Sequence, residues 1–148
     1  PLASMMATPS ETISNKIALS EGPEHEVKML NSGADGIMVF EPAVIKISKG
    51  DTVNFRAVDM SHNSASLEGM IPDGAESWNG ALSQDISITF TEEGVYVYQC
   101  TPHAMMAMVG VIQVGEAVNL DSVKSQASQT KSVFISNTDR LDDYLSRL

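Results

Sequence analysis

Between Glu24 and Val114 apolar residues recur at every second position in short runs, and turn residues separate the runs. HEVKMLN alternates before NSGADG turns. IMVFEPAVIKI is rich in β-branched residues and is broken by Pro42, which belongs at a sheet edge or a kink because it has no N–H to give a ladder. SKGD turns before TVNFRAV, ISITF alternates before TEEG, VYVYQC follows, and VGVIQVG closes at Gly115. No amphipathic helix of convincing length falls in this span. Seven or eight strands in about 90 residues predict an all-β Greek-key sandwich or barrel. SLEGMIPDGAESWNGALSQD reads as a long turn-rich excursion, with one helical turn expected near Pro72–Ser77.

After Gly115 the period changes to that of a helix. Asn119 and Asp121 are candidate caps for LDSVKSQAS, and Leu141, Tyr144, Leu145 and Leu148 recur at helical spacing. Two C-terminal α-helices are therefore expected to pack across one sheet. The plan is an N-terminal extension over residues 1–23, a β-sandwich over 24–115 and a helical tail over 116–148. Small polar residues and two prolines predict that the first ten residues are mobile. The opening has no charged segment followed by an apolar one, so it does not read as an intact secretion signal.

A chain of 148 residues suits one domain with a real core. It has no apolar stretch near the roughly 18 residues needed to span a bilayer, so a soluble protein is expected. The formal charge of −10 makes nucleic acid and anionic membrane surfaces poor partners, because both require Lys and Arg to meet phosphates. The charge is unevenly placed: Ala57–Val123 holds nine carboxylates and no Lys or Arg. A single cysteine excludes an internal disulfide, and compartment cannot be read from bridges.

The chemistry concentrates in YQCTPHAMMAMVGVIQV, where Cys100 is followed by His103 and Met108. Each has an ordinary reading: Cys is among the most buried residue types, Met fills irregular gaps, and a lone His is usually a hydrogen-bonded structural group. Against this, Cys100 ends a strand, Pro102-His103 begins a tight loop, and Met108 stands where the loop re-enters a strand. His62, in VDMSHNSAS after the strand TVNFRAV, can supply a second imidazole. A thiolate, two imidazoles and a weak thioether suit a blue-copper site better than zinc, which does not favour a thioether, or an iron–sulfur cluster, which needs more thiolates. His25 lies in the first strand with no partner motif and reads as a surface residue. Trp78 fits either the core or a rim.

VFEPAVIKISKGDTVNFRAVDMSHNSASLEGMIPDGAE and GVYVYQCTPHAMMAMVGVIQVG, with the helical tail beyond the last strand, resemble the pseudoazurins, bacterial type 1 copper proteins of the cupredoxin fold. The resemblance implies one type 1 copper held by His62, Cys100, His103 and Met108. It implies that Asn63 ties the ligand loops together. It implies an apolar docking patch around His103 formed by Met38, Pro102, Ala104, Met105 and Met106. It further implies a periplasmic, monomeric electron carrier, not an enzyme, that exchanges single electrons with redox proteins such as a nitrite reductase or a cytochrome.

The chain departs from the family in its surface. Met60, the stretch around Trp78 and Gln99 stand where lysines are usual, Ala104 replaces a common aromatic, and Ala107 replaces a common glycine. Two other functions compete with electron transfer. Met60, Met70, Met105, Met106 and Met108 could present thioethers to copper(I) for periplasmic delivery or storage. A Cys-His hydrolase would need an accessible, low-pKa thiol and an oxyanion hole, and the loop offers no evident substrate cleft.

Overall fold

The alternating runs form eight strands in the computed structural model, which describes residues 15–148. They are β1 (Glu24–Gly33), β2 (Gly36–Glu41), β3 (Val44–Ile47), β4 (Thr52–Arg56), β5 (Ala65–Ser66), β6 (Ile86–Thr89), β7 (Gly94–Gln99) and β8 (Val109–Val114). Two four-stranded sheets result, ordered β2-β1-β4-β6 and β3-β8-β7-β5. β1 pairs in parallel with β4, and β3 with β8; the other pairs are antiparallel. Pro42 lies between β2 and β3, at the edge of each sheet, where its missing N–H costs no ladder bond.

Alternation decides which face is buried. In β1, Val27 and Met29 point inward and their neighbours outward. The interior holds Phe40, Phe55, Phe90, Tyr96 and Tyr98 with Cys100 and Met108. Trp78 belongs to this core, and its Nε1–H donates to Ser64 Oγ at 2.9 Å. β7 is buried on both faces, which explains why GVYVYQ has lost its alternation. Its outward residues Val95 and Val97 are covered by the tail.

The tail forms α1 (Leu120–Thr130) and α2 (Arg140–Ser146). Val123, Ala127, Leu141, Tyr144 and Leu145 bury against the outer face of the second sheet, and Leu148 is partly buried beside them. Asn119 does not cap α1 with its side chain. Its Oδ1 accepts the Val95 N–H at 2.6 Å and its Nδ2 donates to the Val95 carbonyl at 2.9 Å, stitching the helix start to β7.

Two local expectations fail. Pro72–Ser77 makes a single non-helical turn, with Ala75 N–H donating to Pro72 O at 3.1 Å, and then continues without regular structure; Gly74, at φ +86°, ends the turn. His25 is not a surface residue. It is 8% exposed, with Nε2 2.8 Å from Asp51 Oδ2 and Nδ1 3.1 Å from Ser20 Oγ. The expected mobility of the first ten residues lies outside the described residues. Farther along the extension, Ile17 N–H donates to Arg147 O at 2.9 Å and Ser20 N–H to Lys46 O at 2.8 Å.

Candidate metal centre

The site forms where β4 and β7 end. β4 runs into the loop that carries His62 and Asn63, and β7 delivers Cys100. Pro102 then opens a short 3-10 turn over Thr101–Met106, for which its fixed φ is suited. Ala107 adopts φ 58° and turns the chain into β8 through Met108. Three backbone bonds close this loop on itself: Cys100 N–H to Met108 O at 2.9 Å, His103 N–H to Cys100 O at 3.1 Å, and Met108 N–H to His103 O at 3.3 Å.

His62, Cys100 and His103 converge, with one ligand atom from each within 4.8 Å of the others. Nδ1 of His62 is 3.5 Å from Cys100 Sγ and Nδ1 of His103 is 3.3 Å from it. The orientation of His62 is set from outside the cluster. Its Nε2–H donates to Asn31 Oδ1 at 2.7 Å, so the lone pair is left on Nδ1, facing the sulfur. Met108 is fully buried and its backbone is bonded to both Cys100 and His103.

Asn63 joins the two loops. Its Oδ1 accepts the Thr101 N–H at 2.7 Å, and its Nδ2 donates to Gly80 O at 3.1 Å and to Thr101 Oγ1 at 3.3 Å. The backbone N–H groups of Asn63 and His103 also point at the Cys100 sulfur. Burial pushes the Cys100 thiol up against those two N–H groups. Burial, reinforced by His103 and opposed by Asp59, holds His62 below the usual imidazole value.

These are the requirements of a soft cation. The imidazole of His62 is kept neutral, the thiol gives up its proton to a metal more readily than to water, and the N–H groups support the resulting thiolate. The residues present fit copper.

Of the docking patch, Met105 and Pro102 are exposed, while Met38, His103, Ala104 and Met106 are partly buried. The methionines do not form one cluster: Met60 is 70% exposed, whereas Met70 is fully buried in the layer beneath the helices, with Thr130 Oγ1 on its sulfur. Asn31 was invisible to sequence reasoning, because nothing in LNSG signals a histidine partner in another loop.

A two-sheet sandwich with a buried thiol and two imidazoles at one end defines a mononuclear site for a soft metal. Residues 27–115 match the family of copper binding proteins, plastocyanin/azurin family. The chain is 44% identical to a pseudoazurin of Paracoccus pantotrophus over 109 residues, covering 73% of this chain and 75% of that protein. It is 46% identical to a putative pseudoazurin of Rhizobium leguminosarum bv. viciae over 102 residues, covering 68% and 67%. The crystal structure of native pseudoazurin from Hyphomicrobium denitrificans superimposes with a TM-score of 0.76 at 36% identity, covering 84% of this chain and 98% of that one. The chain belongs to the plastocyanin/azurin family of copper-binding proteins and, within it, to the pseudoazurins. It is a copper electron-transfer protein of cupredoxin fold and not an enzyme.

Proposed function

We propose that His62, Cys100, His103 and Met108 hold one type 1 copper, and that the protein works as a monomeric periplasmic shuttle that docks through the face around His103. The observation that carries this reading is the convergence of two Nδ1 atoms on the Cys100 sulfur, with the His62 lone pair aimed there by Asn31. Copper supplies the redox couple when bound. The chain's own part is to keep the donors in place before and after the electron moves. The Asn63 bonds and the closed Cys100–Met108 loop leave few soft degrees of freedom, and burial of Cys100 and Met108 excludes water. His103 is the one imidazole of the pair with an edge toward solvent, which makes it the exit for the electron.

Titrating the metal-free protein with copper(II) under visible absorption tests the site. One equivalent should develop an intense thiolate charge-transfer band and then saturate. Several equivalents of colourless copper(I), bound without that band, would support delivery or storage instead. The scattered methionines and the buried Met70 speak against that outcome.

A nitrite reductase or a cytochrome fits as partner by likeness to the pseudoazurins. Charge narrows the choice. Among the nine carboxylates of Ala57–Val123, Glu92, Glu93 and Glu116 flank the ends of β7 and β8 away from the site, whereas Asp59 sits in the His62 loop. Arg56, at the end of β4, is paired with Glu26 and Asp85. The loops of Ala57–Val123 that carry the site bring no Lys or Arg to the face around His103, which supports a basic or apolar partner surface. With a basic partner, electron-transfer rates should fall as salt is added across the range where the screening length shrinks to roughly 8–10 Å. With an acidic partner of the kind that lysine-rich pseudoazurins meet, they should rise; a fall there would contradict the charge argument.

A further inference from the structure

Arg140 is the first residue of α2, and it is 8% exposed. It takes part in none of the ion pairs among the described residues. Its partners are backbone carbonyls from two separate segments. Nη1 donates to Met38 O at 2.9 Å, Ala107 O at 3.3 Å and Met106 O at 3.5 Å. Nη2 donates to Ile37 O at 3.1 Å and Asp35 O at 3.3 Å. Gly36, at φ +118°, leaves the room: a Cβ there would stand 3.2 Å from Nη2.

Two of these carbonyls belong to residues in the left-handed region, Met38 at φ 53° and Ala107 at φ 58°. A residue with a Cβ adopts this conformation at a cost and keeps it only where its surroundings hold it. One residue lies within β2, the return strand of the β1–β2 hairpin, and the other immediately precedes Met108. A planar fork that donates to both carbonyls holds both turns in one relative position, and a buried cation meeting five carbonyl dipoles is well compensated without a carboxylate. A lysine, with three N–H donors on one nitrogen and no fork, cannot meet all five carbonyls.

We propose that Arg140 is a positioning residue: it clamps the Cys100–Met108 loop to the β1–β2 hairpin and holds Ala107 in the left-handed turn that delivers Met108. The helical tail thereby has a second role besides covering the sheet, because it sets the shape of the metal loop. The clamp is built from contacts of the chain alone; only its metal readout rests on the ligand assignment above.

The test compares the wild type with Arg140→Met, using amide hydrogen exchange on metal-free protein and the visible spectrum and reduction potential of the copper-loaded form. Arg140→Met should speed exchange at Ala107 and Met108 by about tenfold or more, as expected when hydrogen bonds to a charged group are lost, while Tyr96 and Val97 in β7 exchange as before. It should also change the charge-transfer band and the potential. Adding Ala107→Gly, which removes the left-handed penalty, should restore much of the protection and of the wild-type spectrum. Should Arg140→Met not fold, Arg140→Lys, which keeps the charge and loses the fork, is read by the same criteria. Faster exchange confined to α2, with Ala107, Met108 and the copper spectrum unchanged, would overturn the proposal and leave Arg140 a helix anchor. Failure of the wild type to develop the band would strike the ligand assignment, and the exchange experiment would still decide the clamp.

Discussion

The molecule holds two histidine clusters that differ in how their ring nitrogens are used. His25 has both nitrogens committed, Nε2 to Asp51 at 2.8 Å and Nδ1 to Ser20 at 3.1 Å. His62 has Nε2 committed to Asn31, while its Nδ1 and that of His103 converge on one sulfur. Both clusters are largely buried, so burial does not tell them apart. The first satisfies its polar atoms within the protein. The second brings three donors together in an arrangement that a cation completes.

The comparison breaks most severely at Cys100. Cys100→Ser should abolish the charge-transfer band and lower copper affinity by orders of magnitude, because the hard hydroxyl replaces the only thiolate. A variant that stayed blue would remove Cys100 from the site. Asn31→Leu should weaken copper binding by about 10–100-fold, since loss of an outer hydrogen-bond partner frees the ligand ring. Metal titration of that variant checks this, and unchanged affinity would show that Asn31 does not orient His62.

His25→Phe should destabilise the fold by about 1–3 kcal/mol, because it leaves the buried Asp51 carboxylate with the Ser48 N–H but no side-chain partner, and it should leave the copper spectrum intact. Chemical denaturation and visible absorption read the two effects separately. A change in the spectrum would mean that the two clusters are coupled.

The smallest expected effect is on acid stability. Burial alone would raise the Asp51 pKa, but the bonds from His25 and the Ser48 N–H outweigh it and hold the carboxyl below its ordinary 3.8. The stabilisation is complete above that value and is lost as pH falls through the lower folded-state value. Acid unfolding of wild type and of His25→Phe should therefore converge only below about pH 4. Convergence at neutral pH would place the effect elsewhere.

What the sequence made legible follows from the range of each interaction. Strands were readable because alternation is local, and the two helices because Leu141, Tyr144 and Leu145 repeat within two turns. Cys100, His103 and Met108 stood out for the same reason, lying on one short loop. His62 needed its place after a strand and the family resemblance, since only the fold brings it to the sulfur 38 residues away in sequence. His25 was misread because Asp51 is 26 residues distant and shares no motif with it. Asn31, 31 residues from His62, and Arg140, more than 100 from the hairpin carbonyls it holds, carry no local signal at all. Asn119 looked like a cap by type and position, and tertiary contact with Val95 claimed its side chain instead.

X-ray absorption at the copper edge of the copper(II)-loaded protein bears most directly on the central claim, that the cluster at the end of β7 is the metal site. The account predicts two imidazole nitrogens and one short thiolate sulfur in the first coordination shell, with the sulfur lost in Cys100→Ser. A shell of several thioether sulfurs, or one that survives Cys100→Ser unchanged, would contradict it.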